Sequence, residues 1–163
     1  MPEKGEVLPI GKGRVVRSSS RTTTGRDGKV AILSFGTRLH ESLVAANEIE
    51  EADSSVAVTV ADARFMKPLD IDLVRSLAAD HSAIVTVEEN SIGGFGDSVL
   101  HFLSLEGLLD SGDLKFRPMV LPDAYFEAGP QYEQYENAGL NAKHIRGTVM
   151  RLMGKAVVPQ LAA

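Results

Sequence analysis

KVAILSFG (residues 29–36) decides how the rest of the chain is read. Residues 30–35 form a nearly continuous apolar run with branched side chains, short enough for a strand and apolar enough to be buried on both faces. Gly36 and Thr37 then turn the chain, with Thr37 placed to cap a helix. In that helix Leu39, Leu43, Ala46 and Ile49 recur at spacings of three and four, with charges between them. Residues 53–55 end it. A strand followed directly by an amphipathic helix is the first half of a parallel β-α-β unit.

The pattern continues downstream. VAVTV (56–60) is a second buried strand, and RFMKPL (64–69) is a connector. Asp70 is positioned to cap a helix that carries Leu73, Val74 and Leu77 on one face. Residues 84–87 make a third strand, EENSIGGFG (88–96) a glycine-rich loop, 99–109 a third helix and 116–121 a fourth strand. Residues 130–153 read as two helices split near Gly139. Upstream, residues 7–17 hold a short strand around Val15 and Val16. The polar run SSSRTTTGRDG (18–28) is a loop joining two antiparallel strands. The expected fold is α/β: a doubly wound, mainly parallel five-stranded sheet with one antiparallel edge strand, spanning residues 7–154. A flexible N-terminus (1–6) and a frayed tail (155–163) flank it.

Composition narrows the function classes. The 163 residues include no cysteine, which excludes a disulfide framework, a thiolate nucleophile and a cysteine-ligated metal. With 17 basic and 22 acidic side chains the net charge is -5, so no basic surplus is available for nucleic acid. No window approaches the roughly 18 continuous apolar residues of a membrane span.

Few residues suggest chemistry. Ile92, Gly93, Gly94, Phe95 and Gly96 lie between a strand and a helix, where a phosphate loop would sit, but they match neither nucleotide-binding pattern and lack a lysine. Glu88 and Glu89 are adjacent on an extended chain and point to opposite faces, so they do not share an acid/base site. They are candidate structural ion-pair partners for Arg64, at the end of the second buried strand. His40, His81, His101 and His144 have no metal-like spacing. Asp123, Tyr125 and Phe126 follow the last strand, at the sheet end where open α/β folds bind ligands or other domains. Ile92, Gly93, Gly94, Phe95, Tyr125 and Phe126 are therefore candidate contacts for a neighbouring domain. No catalytic, cofactor-binding or metal-ligating residue is assigned.

Five segments together carry a resemblance. LPIGKGRVV (8–16), VTVADARFMKPLD (58–70), VTVEENSIGGFG (85–96), VLPDAYFEAG (120–129) and AGLNAKHI (138–145) resemble, in order and spacing, the C-terminal domain of the 1-deoxy-D-xylulose-5-phosphate synthase family. That domain falls within the broader transketolase C-terminal type. The resemblance implies a homodimeric parent that condenses pyruvate with glyceraldehyde 3-phosphate, releasing carbon dioxide, for isoprenoid, thiamine and pyridoxal synthesis. Thiamine diphosphate and magnesium would be held by the N-terminal and central domains of the parent, the partners of this one. A family arginine in a Y-P-R-G segment, taken to hold substrate phosphate, has no counterpart here.

Two departures stand out. Residues 18–28 replace a short turn, which points to an algal or other eukaryotic source and a plastid stroma; a bacterial source would place the parent in the cytoplasm. AYFEAGP (124–130) replaces R-F-I-x-H-G-S and loses its histidine. The alternatives are the C-terminal domain of a 2-oxoacid dehydrogenase β subunit, opposed by Phe65 and the I-G-G-F-G loop, and a free-standing binding or regulatory module beginning at Met1.

Overall fold

The computed structural model describes residue 5 and residues 7–19, 21, 23 and 25–155. The expectations for the other residues of the N-terminus, for three positions in the 18–28 run and for residues 156–163 lie outside the described residues. Lys155, at the start of the expected tail, is tied down: its amide donates to the Met150 carbonyl and its Nζ to Ser55 Oγ.

The described elements are, in chain order, β1 (Arg14–Arg17), β2 (Lys29–Ser34), α1 (Leu39–Ala52), β3 (Ala57–Asp62), α2 (Ile71–Asp80), β4 (Ala83–Val87), α3 (Phe95–Leu105), β5 (Lys115–Met119), α4 (Gln131–Ala138) and α5 (Ala142–Leu152). The five strands form one sheet in the order β1-β3-β2-β4-β5. β2 pairs in parallel with both β3 and β4, β4 pairs in parallel with β5, and β1 runs antiparallel to β3 at the edge. The expected sheet is therefore the observed one. The loop at 18–28 does join strands of opposite direction, but they are not neighbours, because β3 lies between them.

Handedness explains the layers. From β2 the chain steps to β3, then reverses across β2 to β4 and β5. Right-handed crossovers put α1 on one face and α2 and α3 on the other. Val30 and Ile32 of β2 accordingly pack with Ile49 of α1 and Ile145 and Val149 of α5. Ala31 and Leu33 pack with Val74 and Leu77 of α2 and Val99 and Leu103 of α3. Both sets on β2 are fully or almost fully buried, which is why its sequence is continuous rather than alternating.

Some boundaries differ from expectation. Residues 36–38 form a 3-10 turn, so α1 starts at Leu39 with no side-chain cap, and the Thr37 hydroxyl instead donates to the Glu89 carboxylate. α3 starts at Phe95 rather than residue 99, for a reason described below. Asp70 does cap α2, accepting from the Leu73 amide at 3.2 Å. The same carboxylate accepts from the Gly13 amide at 2.9 Å and faces Lys12 Nζ at 3.3 Å. One aspartate thus ties the segment before β1 to the start of α2. Gly13 permits that approach, since a Cβ there would stand 2.8 Å from the Asp62 carbonyl oxygen.

The β1 edge is held by charge. Glu50, buried near the end of α1, accepts from Arg17 Nη2 at 2.8 Å and from the Val58 amide at 2.8 Å, while Arg17 Nη1 donates to the Val58 carbonyl at 2.6 Å. Burial pushes this carboxyl up, but the hydrogen bonds from Arg17, Ser19 and Val58 outweigh it and hold its pKa at about 2. A depressed folded-state pKa gives stability that is complete above the ordinary carboxylate range and is lost as pH falls toward about 2. Glu50→Gln should therefore cost about 3 kcal/mol at neutral pH. It should also reduce the acid-induced loss of stability below the ordinary carboxylate range, as read by urea unfolding at a series of pH values.

Candidate functional site

The C-terminal end of the parallel strands is the candidate site, and two consecutive carboxylates organise it. Residue 88 directly follows β4, and its amide still donates to the Met119 carbonyl. The Glu88 side chain is completely buried. Its Oε2 accepts from the Phe95 amide at 2.8 Å and its Oε1 from the Gly96 amide at 2.7 Å. These are two of the donors that a helix N-terminus leaves without intrahelical partners, and the helix dipole favours a negative charge there. The carboxylate therefore starts α3 at Phe95, four residues earlier than apolar spacing alone suggests. Gly94 is required by the fit: a Cβ there would overlap Glu88 Oε2. The glycine-rich loop is thus a clamp around the chain's own carboxylate, and its helix donors are already committed.

Glu89 points the other way. Its carboxylate accepts from the Thr37 hydroxyl and from Arg38 Nε at 3.1 Å, and it raises the pKa of the neighbouring Tyr135 hydroxyl. Burial pushes the Glu89 carboxyl up, but these hydrogen bonds and the Arg38 charge bring it below its ordinary value. The Arg38 guanidinium lies 3.6 Å from the centre of the Tyr135 ring, so the cluster also pins α4 over the sheet end. Arg38 and Tyr135 are the participants that sequence reasoning missed. The available signal was that Arg38 follows β2, the strand beside β4.

Arg64 does not join them. The expected pairing with Glu88 or Glu89 is replaced by Asp62 Oδ2, 3.7 Å from Arg64 Nε, and Asp62 Oδ1 also accepts from the Arg64 amide at 3.2 Å. The reason is topological. β2 lies between β3 and β4, which separates their ends by two strand spacings, about 10 Å. Arg64 itself occupies the left-handed region, with φ 58°, where the Asp62 contacts hold it.

The candidate contact residues divide. Ile92 is 75% exposed and Tyr125 93% exposed, Gly93 is exposed and Phe126 is half-buried. Gly94 and Phe95 are buried. Phe95 leaves the expected surface because Glu88 fixes its backbone at the helix start, turning the ring into the core. There it stacks on Phe35 with centroids 5.0 Å apart. The loops after β4 and β5 are joined by the Leu121 amide donating to the Asn90 carbonyl at 2.9 Å. Because β1 is antiparallel to β3, the segment before it reaches the same end of the sheet, bringing the exposed Val7, Leu8 and Ile10. Ile71, at the start of α2, and Tyr132 are exposed there too.

The histidines take structural or surface places. His81 is buried, with Nδ1 2.9 Å from the Leu77 carbonyl and Nε2 2.8 Å from Thr59 Oγ1, and burial lowers its pKa. Among the described residues no three His, Asp or Glu side chains converge as metal ligands. The residues of this end do not fit a thiamine diphosphate–magnesium site, since Asp62, Asp70, Glu88 and Glu89 are each committed to protein donors.

The clamp predicts a coupling. Gly94→Ala should cost about 2 kcal/mol by overpacking against the carboxylate. Glu88→Ala should cost about 2–3 kcal/mol by stranding two amides. The double variant should be more stable than the sum of the two by at least about 0.5 kcal/mol, because removing the carboxylate removes the overlap. Equilibrium unfolding of the four proteins of this cycle reads the difference.

The transketolase C-terminal domain family matches residues 21–145. The chain superposes on a split-gene transketolase, described as an inactive β4 tetramer, with a TM-score of 0.74 and 26% identity, covering 90% of this chain and 44% of that one. It also superposes on the transketolase of Campylobacter jejuni subsp. jejuni NCTC 11168 with a TM-score of 0.60 and 16% identity, covering 93% of this chain and 20% of that one, a likeness in fold alone. The chain thus spans less than half the length of either. With the family match running over most of its length, the chain belongs to the transketolase C-terminal domain family.

Proposed function

We propose that this chain is the non-catalytic C-terminal domain of a thiamine-diphosphate-dependent 1-deoxy-D-xylulose-5-phosphate synthase, and that its work is to assemble with the parent's other domains. One observation carries the reading. At the C-terminal end of the sheet Asp62, Glu88, Glu89, Arg38 and Arg64 are each committed to partners within the chain, while Ile92, Tyr125, Val7 and Ile10 stand exposed at the same end. A surface whose central charges are committed and whose apolar side chains point outward is suited to burial against protein. It is poorly suited to catalysis, which needs an accessible base, nucleophile or Lewis acid.

The choice of synthase rests on the motifs and on what they build. ADARFMKPLD (61–70) supplies the Asp62–Arg64 turn and the Asp70 cap, and VEENSIGGFG (87–96) supplies the carboxylate clamp. In the parent, thiamine diphosphate and magnesium would provide the carbanion chemistry that joins pyruvate to glyceraldehyde 3-phosphate, held by the domains this chain contacts. The split-gene transketolase described as an inactive tetramer is consistent with a part of such an enzyme that folds and associates without turnover. A homodimeric parent, working in the plastid stroma of an alga or plant or in a bacterial cytoplasm, completes the reading.

Three measurements test it. The purified chain, given pyruvate, glyceraldehyde 3-phosphate, thiamine diphosphate and magnesium, should form no product, and in sedimentation it should self-associate through its exposed end. A chimera in which it replaces the C-terminal domain of a known 1-deoxy-D-xylulose-5-phosphate synthase should retain activity. Turnover by the chain alone, or an inactive but folded chimera, contradicts the proposal.

A further inference from the structure

A cleft of about 430 Å³ opens between the β5 edge of the sheet and α5, lined by Arg117, Pro118 and Met119 of β5 and Thr148, Arg151 and Leu152 of α5. Its volume lies in the range of small-molecule sites. Alternation along β5 sends Lys115, Arg117 and Met119 to one face, and Met119 packs in the core beneath α5. Thr148 and Arg151 stand one turn apart on α5, and Arg151 Nη2 donates to Thr148 Oγ1 at 3.2 Å.

The charge is one-sided. Arg17, Arg38, Arg64 and Arg75 each pair with a carboxylate, whereas Arg117 and Arg151 make no ion pair among the described residues, and no acidic side chain lines the cleft. Arg117 and Arg151 are both exposed and line the same cleft, which makes it locally positive in a chain of net charge -5. The C-terminus of α5 would oppose an anion through its carbonyls, but Lys115 Nζ donates to the Leu152 carbonyl at 2.9 Å and offsets that end of the dipole. Strand addition is disfavoured as the use of this edge. The Lys115 amide and the Met119 carbonyl bond to the β4 side, so residue 118 faces outward, and as proline it offers no donor.

We propose that this cleft binds the phosphate group of a small phosphate monoester. Two guanidiniums and a hydroxyl supply enough donors for three terminal phosphate oxygens, more than a carboxylate could accept. Met119 and Leu152 give the organic part an apolar floor. The site is independent of the assembly role and of the identity of the parent.

The test uses the full chain, with amide chemical shifts followed at constant ionic strength during titration with inorganic phosphate, glycerol 3-phosphate or glycerol. Saturable shifts at residues 117–119 and 148–152 are expected with both phosphates, tighter for the ester, and none with glycerol. Arg117→Ala and Arg151→Ala should each weaken binding by about tenfold or more. Arg75→Ala, which removes a surface pair with Glu106, should leave it unchanged. Absence of saturable shifts at the cleft overturns the site, as does unaltered affinity in the Arg117/Arg151 double variant. Inorganic phosphate binding with no gain for the ester overturns the assignment to a monoester.

Discussion

The Glu88 carboxylate, buried with no ion pair among the described residues and held by two main-chain amides, is the contact on which the sheet end depends. Burying a carboxyl group in an apolar core is costly unless donors converge on it, and the start of α3 brings those donors together. The requirement runs both ways. The carboxylate needs the helix start, the helix start needs the carboxylate, and both need a loop with no side chain at Gly94. Glu89, next in the chain, faces the opposite side of the sheet and uses Thr37, Arg38 and Tyr135 to fix the turn after β2 and helix α4. Two adjacent glutamates on extended backbone thereby lock one end of both helical layers.

This arrangement decides what the C-terminal end can do. In open α/β folds that end is the usual place for ligands, because loops and helix N-termini meet there. Here the donors of α3 are spent on Glu88, and Arg38 and Arg64 on Glu89 and Asp62. Apolar side chains face outward there: Ile92 after β4, Tyr125 after β5, and Val7, Leu8 and Ile10 before β1. In the proposed reading, the geometry of a ligand end serves as a surface for protein. Arg117 and Arg151, which make no ion pair among the described residues, lie beside the cleft at β5.

Most of the fold was legible because it follows from periodicity. The continuous apolar runs at 30–35 and 56–60 can be buried only in a parallel sheet, and the Asp70 cap is a local signal. The start of α3 was not legible from apolar spacing, because a residue seven positions earlier, Glu88, supplies its cap. Pairing Arg64 with Glu88 or Glu89 failed for want of strand order: both residues do end parallel strands, but nothing local says that β2 lies between them. Phe95 was read as exposed because it sits among glycines, and only the clamp shows that its ring must turn inward. Arg38 and Tyr135 meet across nearly a hundred residues, a proximity with no signature in either neighbourhood.

Hydrogen exchange compares the two environments of this surface most directly. The account predicts that amides around residues 7–12, 90–94 and 123–127 gain protection when the chain is joined to the remaining domains of a synthase, relative to the chain alone, while those of β5 and the C-terminal half of α5 do not. Unchanged exchange at the three loops in an active, assembled protein would contradict the claim that the C-terminal end of the sheet is where this domain meets its parent.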